Sequence, residues 1–375
     1  MKLGIIRLYC GESGKKGFYN IQEIGLAKSL IKKGIDVDIF FLSPNIKEKY
    51  TIETVKENIR LITIKCKNIS NHGIISLKVL DDFKIDVIQI LADNQLIAPN
   101  LIKYCRKRNI PYYCYIGTIE SDSNNYIKKM IMNFISSRNI GAYKKSIIAC
   151  KTTEIEKKLN DRGILNTKVI PVGLDLEIIP KIDSSIEELK RELSLDKEKK
   201  LLLFVGRLEE YKKPLKFIEL MSFINERSSD YKGIIIGSGS LKEKIENEIN
   251  NCGLEDNLLM IDKVDNKKIH QYYKVSDAFI NFNENEIFGM SILEAMNQGC
   301  PVVAYNAPGP KYIINSGESG VLIDNYDFEE WFSIIKDITL NNSDIKRNSK
   351  KRILEVFNWD SIASEFIKTI NEITL

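Results

Sequence analysis

The sequence predicts two doubly wound α/β units, each built on a largely parallel sheet. Three observations lead there. At 375 residues the chain exceeds what one ordinary core serves and suits two domains. Short, uniformly apolar, β-branched runs alternate with amphipathic stretches, the pattern of parallel strands buried on both faces. The alternation stops at a hydrophilic segment, "EIIPKIDSSIEELKRELSLDKEKK", which has no strand signal, and then begins again.

In chain order, the runs "LGIIRLY", "DVDIFFL", "IRLITI", "DVIQIL", "YYCYI", "SIIAC" and "KVIPV" read as strands of the first unit. Between the first two lies "NIQEIGLAKSLIKKG", with Ile21, Ile24, Ala27 and Ile31 on one helical face. Its last turn is basic and ends at Gly34, a suitable C-cap. Strand, glycine turn, helix and strand make a βαβ unit, hence a doubly wound sheet. After the hydrophilic segment, "KLLLFVG", "GIIIG", "NLLMI", "DAFINF", "PVVAY" and "GVLI" read as strands of the second unit. The closing "NWDSIASEFIKTINEI" reads as a helix with Ile362, Phe366 and Ile370 on one face. The expected division is a Rossmann-like domain over 1–172, a second over 173–355, and a helix over 356–375 packing back on the first.

Composition narrows the function. Hydrophobic content of 43% and charged content of 28% are those of a soluble globular protein. No apolar run approaches the ~20 residues of a membrane-spanning helix. "LGIIRLY" is too short, and too soon followed by charge, for a signal peptide, so a cytoplasmic protein is expected. Seven scattered cysteines with no C-x-x-C pair argue against a disulfide framework and a zinc site. His72 and His270 are the only histidines, too few for a histidine dyad or a histidine-rich metal centre. Net charge is +4, but residues 1–170 carry 29 Lys/Arg against 16 Asp/Glu, and the remainder 26 against 35. Either the first half faces something anionic or its lysines merely solvate helices.

One loop poses a question. "YCGESGKKG", residues 9–17, resembles a phosphate-binding P-loop, but Tyr9 stands where the first Gly belongs and Lys16 where Ser or Thr belongs. It is not one. Gly14 and Gly17 instead suit the first βα turn, where backbone could approach a ligand and Lys15 or Lys16 meet phosphate. A glycine turn with solvated lysines explains the same residues.

In open parallel sheets, ligands bind beyond the carboxyl ends of the strands. After "LLLFV" come Gly206-Arg207 and then Lys212; after "GIII" comes Gly237-Ser238-Gly239; after "DAFINF" comes "NENEIFGMSILEAMNQG". The cations could hold a diphosphate, Arg as a bidentate fork and Lys as a point charge. Glu286 and Glu294 could accept hydrogen bonds from vicinal hydroxyls at the two ends of a ligand. Gly289 would let backbone approach at a helix start, where free amides favour phosphate. Singly, each residue is as well explained by a surface cation, a solvated acid or an ordinary tight turn.

Together and in order, "IPVGLD", "GRLEEYKK", "IIGSGSLKEKIE", "EIFGMSILEAMNQGCPVVA" with its E-x7-E spacing, and "PGPKYIINSGESGVLI" resemble the retaining glycosyltransferases of family 4. The resemblance is dense from about 170 to 325 and rests on strand order before that. It implies the GT-B fold, two Rossmann-like domains facing across a cleft. It implies that Arg207 and Lys212 bind the donor diphosphate and stabilise leaving-group charge, and that Glu286 acts on the transferred sugar's hydroxyls. Glu294 would hold the ribose; Gly206, Gly237, Gly239, Phe288, Gly289 and Met290 would line the donor; Lys263 and Val264 would lie against the base. The implied reaction moves a hexose from a UDP- or GDP-type sugar to a glycan or lipid-linked saccharide, without metal or other cofactor and without nucleic acid, in surface polysaccharide synthesis. The lone Asp36-Val37-Asp38 opens a strand rather than a metal site.

The chain departs from the family after "PYYCY". Many members place a histidine there; here Ile116 is followed by Gly117-Thr118, and Glu120 and Asp122 are the nearby polar groups. A non-catalytic sugar-nucleotide-binding subunit and a GT-B epimerase are the alternatives. The lack of a G-x-G-x-x-G after either first strand argues against a dehydrogenase. Finally, "NNYIKKMIMNFISSRNIGAYKK" places Ile127, Met130, Ile131 and Phe134 at helical spacing, with Lys128, Lys129, Arg138, Lys144 and Lys145 around them. Two readings fit: the apolar residues pack on the first sheet, or the helix lies peripherally on an anionic membrane, at the inner face of the cell membrane.

Overall fold

The computed structural model describes residues 1–10, 22–119 and 126–374, with the backbone alone for Tyr126, Lys128 and Lys129. Gly14, Lys15, Lys16, Gly17, Glu120 and Asp122 therefore lie outside the described residues. The chain divides into two units, Met1–Asp175 with Asn358–Leu375, and Leu176–Phe357.

The first unit contains β1 (Lys2–Arg7), β2 (Asp36–Ser43), β3 (Tyr50–Lys56), β4 (Ile59–Lys65), β5 (Lys67–Ile69), β6 (His72–Ile74), β7 (Val87–Leu91), β8 (Tyr112–Ile116), β9 (Ile148–Cys150) and β10 (Thr167–Val169). Eight of them form one sheet in the order β10-β9-β8-β7-β1-β2-β4-β3. All neighbours are parallel except β3 and β4. Helices α1 (Gln22–Ile31), α2 (Ala98–Arg108), α3 (Tyr126–Tyr143) and α4 (Thr153–Asn160) connect the strands. The order reverses between β1 and β7, so this sheet's switch point lies there.

The second unit contains β11 (Lys200–Val205), β12 (Tyr231–Ile236), β13 (Leu258–Ile261), β14 (Ala278–Asn281), β15 (Val302–Tyr305) and β16 (Val321–Ile323). Its helices are α5 (Ile186–Glu192), α6 (Pro214–Asn225), α7 (Lys242–Asn251), α8 (Asn266–Val275), α9 (Met290–Gln298), α10 (Pro308–Ile313), α11 (Phe328–Leu340) and α12 (Ser343–Glu355). The sheet is wholly parallel, ordered β13-β12-β11-β14-β15-β16. Its switch point falls between β11 and β14. The buried Trp331 on α11 packs its ring 4.3 Å from that of Phe282 just past β14, closing the core on one face.

Helix α13 (Trp359–Thr374) returns to the first unit. Trp359, Ile362, Phe366 and Ile370 are buried along one stripe, and Phe366 meets Tyr115 edge-on at 5.4 Å. Two glycines make room for the indole. A Cβ on Gly25 would come 2.2 Å from Trp359 Nε1, and one on Gly173 would come 2.7 Å from Trp359 Cδ2. Ser29 Oγ donates to Asp360 Oδ1 at 2.7 Å, which fixes the helix start.

Every run read as a strand is one. Four other elements were not anticipated. β3 is an antiparallel edge strand exposed along nearly all of its length, so it has no apolar pattern. β5 and β6 form a separate two-stranded hairpin. α5 interrupts the hydrophilic segment and is held by a capping box, Ser185 with Glu188.

Candidate active site

The second unit's candidate residues gather where its strands end. β11 delivers Gly206 and Arg207 into a loop whose short 3₁₀ turn, Glu210–Lys212, presents Lys212. Pro214 then starts α6, and Lys213 adopts a left-handed conformation (φ 57°) to make the corner. The Arg207 guanidinium stands 5.2 Å from the Tyr211 ring centroid, and Lys212 Nζ 5.5 Å from it. One aromatic ring thus gathers both cations.

Across the switch point, β14 delivers Asn283 and Glu286. Lys212 Nζ donates to Glu286 Oε2 at 2.5 Å, and Asn283 Nδ2 donates to the same oxygen at 3.1 Å. Glu286 is buried, and its carbonyl accepts from the Gly309 amide at 2.8 Å. A Cβ on Gly309 would fall 2.2 Å from the Phe288 carbonyl oxygen, so only glycine lets the 308–310 turn clamp this loop.

Gly289 (φ 104°) turns the chain into α9. Among the described residues nothing accepts from the amides of Phe288, Gly289 or Met290, which leaves a helix N-terminus with free donors. Phe288 itself is buried, 6.3 Å from Phe357. One turn on, Glu294 is 4% exposed. Tyr273 of α8 donates to its Oε2 at 3.3 Å, while Oε1 has no partner among the described residues. Burial pushes this carboxyl up to about 8, and the Tyr273 hydrogen bond only partly opposes it. A buried carboxyl oxygen with no partner is an unmet need, and a ligand hydroxyl would meet it.

The glycine turn after β12 has a structural reason. A Cβ on Gly237 would lie 1.9 Å from the Gly206 carbonyl oxygen, and one on Gly239 would lie 2.4 Å from that of Leu208. The two loops touch backbone to backbone. Glu209 locks them, accepting from Ser240 N at 3.1 Å and Ser240 Oγ at 2.7 Å, bonds that hold its carboxyl below the usual range. Lys263 and Val264 lie at the same edge beyond β13, two strands from β11.

The structure therefore joins Arg207, Lys212 and Glu286 through Tyr211 and an ion pair. It joins Gly206, Gly237 and Gly239 in one loop pair, and sets Phe288 to Glu294 on one helix start. Tyr211, Tyr273, Asn283 and Gly309 were missed. The "PGP" motif could have pointed to Gly309; Tyr273 carries no sequence signal. Gly14 and Gly17 lie outside the described residues.

At the first unit's carboxyl edge, Asp93 Oδ1 accepts from the amides of Gly117 and Thr118 at 2.5 and 3.1 Å. The space beside Gly117 is filled: a Cβ there would lie 2.9 Å from Lys151 Nζ and Cε. His72 is buried against Gln95 on the same turn as Asp93, Nδ1 to Oε1 3.2 Å, and burial lowers its pKa. His270 is pushed down to about 4 by burial beneath α9 and stays neutral. All seven cysteines are free thiols. Among the described residues no cluster of three or more His, Cys, Asp or Glu could hold a metal ion, and no helix is long and apolar enough to cross a membrane.

Residues 185–353 match the sequence family described as glycosyl transferases group 1. The chain is 26% identical to an uncharacterized glycosyltransferase of Methanocaldococcus jannaschii, over 92% of this chain and 91% of that protein. It is 22% identical to a D-inositol 3-phosphate glycosyltransferase of Corynebacterium glutamicum, over 96% and 93%. Among solved structures it is similar to sucrose-phosphate synthase from Thermosynechococcus elongatus, with TM-score 0.78, 18% identity, and 100% and 99% of the two chains covered. It is also similar to Anabaena HepE in complex with UDP-glucose, with TM-score 0.73, 17% identity, and 99% and 100% covered. With two Rossmann-like domains of the GT-B fold and a group 1 match over its second unit, the chain is a glycosyltransferase.

Proposed function

We propose that the chain is a retaining, metal-independent hexosyltransferase of family 4. It moves a hexose from a UDP- or GDP-sugar to a glycan or lipid-linked acceptor in surface polysaccharide synthesis. One observation carries the reading: the Lys212–Glu286 pair and the unsatisfied Glu294 carboxyl flank one switch point, beside free helix amides.

Arg207 grips the donor diphosphate as a fork and Lys212 as a point charge. As the bond from the sugar's C1 to the phosphate oxygen breaks, C1 bonds to the acceptor hydroxyl oxygen on the same face, negative charge grows on the departing phosphate, and that phosphate takes up the acceptor's proton. The two cations and the Phe288 to Met290 amides stabilise that charge without a metal ion. Glu286, held by Asn283 and Lys212, accepts from the hexose hydroxyls. Glu294 Oε1 accepts from a ribose hydroxyl. A nucleoside-diphosphate hexose agrees with the UDP-glucose held by HepE, which shares the fold.

The anomer of the product tests this. The full chain is incubated with UDP- and GDP-hexoses and saccharide acceptors, and products are followed by proton NMR. An α-linked donor should give an α-linked product. A β-linked product would overturn retention, and consumption of no donor would overturn the assignment of a hexosyl donor.

A further inference from the structure

Helix α3 is built inside out. Its inward side is polar: Ser136 Oγ donates to the Ile119 carbonyl at 2.7 Å, Asn139 Nδ2 to that of Gln95 at 2.9 Å, and Tyr143 Oη to that of Ala92 at 2.6 Å. These three bonds, with buried Ile135, set the rotation of the helix. The apolar residues Ile127, Met130, Ile131 and Phe134 are consequently turned outward, 63%, 56%, 51% and 73% exposed. They do not pack on the sheet, which removes one of the two readings open from sequence. Spaced i, i+3, i+4 and i+7, they form one stripe about 10 Å long.

Exposed apolar stripes of this kind mark interaction surfaces, and charge identifies the partner. Residues 101–150 carry nine Lys/Arg and two Asp/Glu. Arg106, Lys107 and Arg108 at the end of α2 and Arg138, Lys144 and Lys145 along and after α3 are exposed. Arg106 Nη2 donates to the Lys145 carbonyl at 2.8 Å, so the two basic helix ends adjoin. A second copy docking here by two-fold symmetry would press the same cations together, which is unfavourable. We propose that this face docks on an anionic lipid bilayer, with the stripe at the acyl boundary and the cations among the headgroups. The inference is independent of the donor chemistry.

Flotation of the full chain with vesicles tests it. The chain should float with phosphatidylcholine vesicles containing phosphatidylglycerol, stay behind with phosphatidylcholine alone, and be released by salt. Lys144→Gln and Lys145→Gln should each weaken partitioning about fivefold. Ile131→Ser with Phe134→Ser should abolish it while the thermal midpoint and donor consumption in solution stay unchanged, since both side chains are exposed. Three results would overturn the proposal: no flotation with the anionic vesicles at low salt, equal flotation of the Ile131/Phe134 variant, or a Phe134-dependent dimer that binds no vesicles.

Discussion

On the proposed reading, nucleotide recognition turns on Glu294, whose buried Oε1 has no partner among the described residues. Burial pushes its carboxyl up to about 8 in the folded protein, against 4.5 in an exposed chain. Between those values the folded chain keeps a proton that the unfolded chain has released, so stability falls as pH rises through the window and levels above it. A ligand hydroxyl donating to Oε1 favours the charged form and reverses that trend. Nucleotide affinity should therefore rise with pH up to about 8, at most about tenfold per unit, with proton release visible by calorimetry in two buffers. Glu294→Gln should remove this pH dependence. At pH 8 it should cost about tenfold or more in affinity, because a charge-assisted bond contributes roughly 1.5–3 kcal/mol. Unchanged affinity would show that Glu294 does not touch the ribose. Lys212 and Glu286 form a second unit, an ion pair in which each holds the other in place, and on the proposed reading a donor would engage both.

At the scale of elements, the loop pair after β11 and β12 positions Arg207. Gly239→Ala would place a methyl 2.4 Å from the Leu208 carbonyl oxygen and force the loops apart. Stability should fall by about 1–3 kcal/mol, with a parallel loss of donor affinity. Gly141→Ala is the contrasting case: it lies in α3 with nothing within 4 Å of the new methyl, and it should raise stability by roughly 0.5–1 kcal/mol. Thermal and denaturant unfolding of both variants check the pair. The buried strands were legible because each apolar run is covered on both faces. β3 was not, since its side chains meet water and its pairing depends on β4 arriving beside it. α5 left a readable mark, Ser185 three residues before Glu188, inside a stretch otherwise marked only by its polarity.

For the whole molecule, the strand order of each sheet reverses once, and in the second unit Arg207, Lys212 and Glu286 gather beside that reversal. The order of the site residues along the chain was readable. The contacts between them were not: the Lys212–Glu286 pair spans distant positions, and the Tyr273 hydroxyl reaches Glu294 from another helix. Lys151 beside Gly117 and the outward stripe of α3 are likewise products of packing. On the proposed mechanism, side-chain cations at the β11/β14 switch point stabilise the departing nucleoside diphosphate. The most direct test is the rate of nucleoside diphosphate release from the preferred donor, in excess EDTA, by the wild-type chain and by Lys212→Ala. The wild-type rate should be unchanged by the chelator, and the variant should be slower by about 10²–10³-fold. A wild-type rate abolished by EDTA and restored by manganese, or a variant as fast as the wild type, would contradict it.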